Sequence, residues 1–143
     1  MRKCYDAYDR SLALRYDNAM VLNNYAYFLS LEGRDLERAL AMAGRAIVLE
    51  ENNPTYLDTY AWVLYRLGRY DEAKKTMQQA LSLDRSQSPD LQLHYGDILA
   101  ALGEKFMAEV YWKKALEGGY DDPDAIVERF RRLKEAAQTP AAP

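Results

Sequence analysis

Side chains able to do covalent or metal chemistry are scarce in this sequence. His94 is the single histidine and Cys4 the single cysteine. One imidazole cannot build a His-rich metal site or a histidine relay, and beside Tyr95 on a predicted helix its expected role is packing or surface. One thiol rules out an intrachain disulfide and a structural cysteine–zinc site, and no partner histidine lies near it to activate a nucleophile. The adjacent carboxylates Asp71-Glu72 and Asp121-Asp122 fall near predicted helix starts, where negative charge offsets the helix dipole. Nothing in the sequence makes them general acids. The seven glycines punctuate the chain and form no phosphate-cradling loop. No catalytic residue, metal or cofactor is predicted, and the reading is non-enzymatic.

What remains is the chemistry of recognition. Trp62 and Tyr65 lie three apart, on one face of a predicted helix. Large amphipathic rings are typical anchors for a partner; the alternative is that both pack against a neighbouring helix. Arg66 follows them, able to pair with a partner carboxylate or to stay solvated. Twelve tyrosines are many for 143 residues. Most should pack between helices with the hydroxyl at the edge, and a surplus can line a recognition surface.

Composition bounds the class of molecule. With 49% hydrophobic and 29% charged residues, the chain has material for a continuous core and does not read as disordered. Its net charge is -3, with Lys and Arg spread along the whole length. There is no basic run, zinc-finger spacing or aromatic–basic alternation of the kind that binds nucleic acid. No run of eighteen apolar residues occurs, so no membrane span is predicted. The start, MRKCYDAYDR, lacks the apolar stretch of a signal peptide. The amphipathic pattern is already running there, which suggests an excised fragment. Cytoplasm and bacterial periplasm therefore both remain open.

The elements that position these residues repeat. Tyr25-Ala26, Tyr60-Ala61 and Tyr95-Gly96 recur at intervals of 35, as do Gly33, Gly68 and Gly103. Ala39, Ala73 and Ala108 follow in phase, then Ala46, Ala80 and Ala115. Each unit reads as two helices: the spacing of large residues is near three and four, and no segment alternates as a strand would. Glycine after the first helix can take the left-handed conformation that closes it. Three phased copies of this length point to a repeat array.

The motif resembles the tetratricopeptide repeat, most clearly in YRLGRYDEAKKTMQQALSLD, and the resemblance covers about residues 19 to 120. The third unit departs mildly, with Lys105 where the family favours an aromatic and no proline after Leu116. The first has one extra residue between Gly33 and Ala39, expected to lengthen the turn and leave both helices intact. The predicted organisation is a single array over residues 1–137. Residues 1–17 resemble the second helix of a preceding repeat, with Tyr5, Tyr8, Leu12 and Leu14 inward. Repeats then span 18–53, 54–88 and 89–121. Residues 122–137 form a capping helix, and 138–143 a flexible tail. Asp122 or its neighbour caps that last helix, with Pro123 in its first turn. Ile126, Phe130 and Leu133 cover the final repeat, while Glu128, Arg129, Arg131 and Arg132 face water.

The resemblance implies an all-α fold of about eight helices in antiparallel pairs, stacked as a short right-handed superhelix. It also implies a concave face lined by the first helices, where a peptide or partner protein binds. Carried over residue by residue, that face holds Asn23, Tyr27, Ser30 and Leu31, then Asp58, Trp62, Tyr65 and Arg66, then Asp90, Leu93, Asp97 and Ala100. The expected partner contacts are Asn23, Tyr27, Asp58, Trp62, Tyr65, Arg66, Leu93 and Asp97, with Asn23 able to bond a peptide backbone. Asp58, Asp90 and Asp97 without a lysine clamp argue against an acidic C-terminal tail and for a neutral or basic partner. The chain then reads as a protein-binding module or scaffold within a larger protein, of bacterial style. The alternative is a structural spacer or self-association element, dimerising through the array ends.

Overall fold

The glycines that punctuate the repeats each follow a helix and reverse the chain. Gly33, Gly68 and Gly103 sit at φ of 67°, 82° and 82°, a region that penalises a side chain but not glycine. In all three turns the next residue donates its N–H back five positions. Arg34 reaches the Leu29 carbonyl at 3.1 Å, Arg69 that of Leu64 at 2.9 Å and Glu104 that of Leu99 at 2.9 Å. These bonds satisfy carbonyls that a helix end leaves open.

In the computed structural model, which describes residues 18–138, the turns join seven helices. They are α1 (Ala19–Glu32), α2 (Leu36–Leu49), α3 (Pro54–Arg66), α4 (Tyr70–Leu83), α5 (Pro89–Ala101), α6 (Lys105–Glu117) and α7 (Pro123–Gln138). No strand occurs among the described residues. The helix expected over residues 1–17 lies outside them, as do the array-end tyrosines Tyr5 and Tyr8. The extra residue of the first repeat is absorbed in the turn: Asp35 takes φ 47° ahead of α2, and α1 and α2 both keep 14 residues. Helix starts are capped by asparagine where the chain supplies one. The Asn18 Oδ1 accepts the Val21 N–H at 3.0 Å, and the Asn53 Oδ1 accepts those of Thr55 at 3.0 Å and Tyr56 at 3.3 Å. Pro54 opens α3 and Pro89 opens α5, where the missing N–H would have had no partner.

The helices gather into two compact units, one ending at Arg85 and one beginning at Ser86. In the first, α1 pairs with α2 and α3 with α4, and α3 also packs on both α1 and α2. Ala26, Ala39, Ala43 and Ala46 are fully buried and let the helix axes approach, while Leu22, Tyr25, Leu29 and Val63 fill the space around them. In the second unit α5 pairs with α6, and α7 packs on α6.

That second core departs from the alanine pattern at one point. A Cβ on Gly96 would lie 2.4 Å from the Trp112 Cδ1 and 2.6 Å from its Nε1. Glycine stands in the place of Ala26 and Ala61 because Trp112, in the place of Ala43 and Met77, fills the volume that a methyl would take. The indole N–H donates to the Asp97 Oδ1 at 2.9 Å, and its ring meets Phe130 edge-on at 5.7 Å. Arg129 closes the arrangement with two bonds to the Asp97 carboxylate, at 2.7 and 3.0 Å. Arg129, expected to face water, is instead the clasp between α7 and α5. Asp122 accepts the Ala125 N–H at the start of α7 at 3.3 Å, and Ile126 is fully buried beneath the helix.

Candidate functional site

The aromatic pair of α3 forms a defined plate. Trp62 and Tyr65 stack with centroids 4.7 Å apart and planes at 23°, and Tyr65 meets Tyr70 of α4 at 5.5 Å. Both rings of the pair are half-buried, so one side rests on protein and part of each stays available. Arg66 is exposed, and its Nη2 lies 3.0 Å from where a Cβ on Gly33 would stand. The guanidinium therefore sits at the C-terminal end of α1, where helix carbonyls favour a cation. Next to this end, Leu31 is 58% exposed and Tyr27 half-buried. The Ser30 hydroxyl is turned inward and donates to the Tyr27 carbonyl at 2.5 Å. Within the first unit, then, α3 presents Trp62, Tyr65 and Arg66, and Arg66 reaches the end of α1 that carries Leu31.

Other residues expected on this wall are placed differently. Asn23 is only 6% exposed, and its Oδ1 is sealed without a hydrogen-bond partner, so it cannot meet a peptide backbone without rearrangement. Asp58 is 7% exposed. In the second unit Leu93 is a core side chain at 2%, and Asp97 is spent on Trp112 and Arg129. Their carboxylate and methyl groups support the fold where the sequence reading assigned them to a partner. Asp90 stays exposed at the start of α5. The signal that could have found the Asp97 cluster was present: Gly96 breaks the Tyr-Ala pattern, and Trp112 is outsized for its place.

Among the described residues no three His, Cys, Asp or Glu side chains come together as a metal site, and no helix is long and apolar enough to cross a membrane.

Comparison with known proteins agrees with these turns and helix pairs. The family model for the tetratricopeptide repeat matches residues 54–86. A TPR repeat-containing protein of Pseudomonas aeruginosa is 30% identical over 86 residues, 60% of this chain and 14% of that protein. The chain thus spans a small part of this relative's length. Three solved structures share the fold. The type III secretion translocator chaperone SycD of Yersinia enterocolitica matches at a TM-score of 0.71 and 19% identity, over 86% of this chain and 96% of its own. The first TPR of Spaghetti (RPAP3), bound to the HSP90 peptide SRMEEVD, matches at 0.72 and 19%, over 85% and 94%. The Sgt2 TPR domain of Aspergillus fumigatus matches at 0.71 and 18%, over 87% and 85%. With three phased copies of the motif and the same glycine turn closing each first helix, the chain carries a tetratricopeptide repeat over residues 54–86 and has the fold of tetratricopeptide-repeat proteins.

Proposed function

We propose that this chain is a protein-interaction module whose first unit receives a partner segment along α1 and α3. The observation that carries the reading is the stacked Trp62–Tyr65 plate, left half-buried next to the exposed Arg66 on α3. Rigid rings of this size lose little entropy on binding and supply most of the energy of a small interface. Partner chemistry follows from charge. The RPAP3 repeat binds SRMEEVD, an acidic peptide; α1, α3 and α5 of this chain carry no lysine. That supports a neutral or basic partner. The support comes from the missing lysines more than from the aspartates, since Asp97 is neutralised by Arg129 and Asp58 is buried. Self-association through the array ends is the alternative, and a concentration series in light scattering addresses it.

Peptide display against the immobilised chain, followed by calorimetry on Trp62→Ala and Tyr65→Ala, tests the proposal. Each variant should keep its helical circular dichroism and weaken the selected peptide by about thirtyfold, the effect of an anchor worth about 2 kcal/mol. Unchanged affinity in both variants would remove the plate from the site.

A further inference from the structure

A second surface, independent of the first-helix wall, lies on the other helices of the second unit. Between α6 and α7 is a cleft of about 490 Å³, lined by Lys105, Phe106, Glu109, Phe130, Leu133 and Lys134. Its size matches sites that take one or two large side chains. The floor is apolar and held in place. Phe130 and Leu133 lie on one stripe of α7, Phe130 is backed by Trp112, and α7 is clasped by Arg129 to Asp97. Phe106 is 76% exposed at the edge, a ring left in water beside an apolar groove.

The charges at the rim set the partner. Most other cations of these two helices are paired within the fold, and Lys114 lies over the Tyr111 ring at 4.7 Å. Arg129 pairs with Asp97, Arg131 with Glu128 and Glu135, Arg132 with Glu128, and Lys113 with Glu117. Lys105 and Lys134 are exposed, and neither makes an ion pair among the described residues. Glu109 is the single acid of the lining, and it directs a partner's carboxylates towards the two lysines.

We propose that this cleft docks an acidic segment of a partner protein. One large apolar side chain of the segment seats on Phe106, Phe130 and Leu133, and flanking carboxylates engage Lys105 and Lys134. The face belongs to a second helix and the capping helix, and its charge preference is opposite to that of the first-helix wall.

The test is fluorescence polarisation of the whole chain with fluorescein-labelled peptides that present Leu, Phe or Trp between Asp and Glu, and with matched peptides carrying Lys in place of the acids. The acidic set should bind, lose affinity at high salt, and weaken by about tenfold or more in Phe106→Ser and in Lys105→Glu/Lys134→Glu. Both variants alter exposed side chains, and their circular dichroism should stay helical. Trp62→Ala should leave this binding unchanged, which separates it from the proposal for the first unit. Four results would each overturn the assignment: no binding by any acidic peptide, equal binding of the lysine peptides, affinity indifferent to both cleft variants, or a dimer of the free chain that Phe106→Ser abolishes.

Discussion

Two mid-helix glycines show how surroundings decide the sign of one substitution. Alanine is worth about 0.5–1 kcal/mol over glycine inside a helix. At Gly44 of α2 the new Cβ would rest 3.5 Å from the Tyr60 ring, an ordinary contact, so Gly44→Ala should stabilise by about that amount. At Gly96 the same gain meets a 2.4 Å overlap with Trp112. Overpacking of this kind costs about 1–3 kcal/mol, and a displaced indole also strains its bond to Asp97. Gly96→Ala should therefore destabilise, and urea unfolding of both variants would show opposite shifts in midpoint. A second residue-scale expectation concerns Glu128. A hydrogen bond from Arg131 is the main cause that holds its carboxyl down to about 2; desolvation opposes it, and a weaker hydrogen bond from Arg132 adds to it. Because the folded value lies below the ordinary 4.5, the stabilisation from this trio is complete above that pH and fades as the pH falls towards 2. Carboxyl chemical shifts followed by NMR should give a midpoint near 2, moving upward in Arg131→Ala; a midpoint at the ordinary value in the unaltered chain would mean that the trio does not form.

At the scale of helices, ends are set by single caps. Asn53 holds two N–H groups at the start of α3, and Asn53→Ala should cost about 1 kcal/mol in thermal or urea unfolding, loosening the helix that carries the Trp62–Tyr65 plate. Helix number, glycine turns and the cap of α7 were legible because each depends on local periodicity and backbone conformation. What could not be read was which residues of a helix face which neighbour. In α5 every residue from Leu91 to Leu99 except His94 is buried, so no polar stripe marks an outer face. Leu93 and Asp97 could be placed on a partner surface only by analogy with the family. Arg129 stands directly before Phe130 at the margin of the apolar stripe of α7, and its turn inward depends on an aspartate 32 positions away. The plate at Trp62 and Tyr65 was legible as spacing, but its stacking and its contact with Tyr70 were not.

At the scale of the whole molecule, the boundary between the two units is an exposed stretch of non-helical backbone. Arg85, Ser86 and Gln87 are all exposed and outside any helix, and Gln87 takes φ 51°. Arg34 and Arg69 also sit in turns, but there the arginine N–H is bonded back into the preceding helix. Trypsin should cut after Arg85 before it cuts after Arg34 or Arg69, because proteolysis follows local exposure and local opening. Mass spectrometry of early fragments would check this, and early cleavage at the repeat turns would contradict it.

The cluster around Gly96 has one more consequence, an optical one. The chain has two tryptophans, and they fall one to each unit. Trp112 is 4% exposed, its ring in the cleared volume and its N–H on a carboxylate; Trp62 is only partly buried, on the proposed binding wall. Shielded and wet indoles emit at different wavelengths, so the protein carries two intrinsic dyes in different settings. With Trp112 changed to Phe, the remaining emission reports ligand arrival at the first unit. With Trp62 changed to Phe, it reports the integrity of the second. The glycine that made room for an indole thereby gives each half of the molecule its own colour.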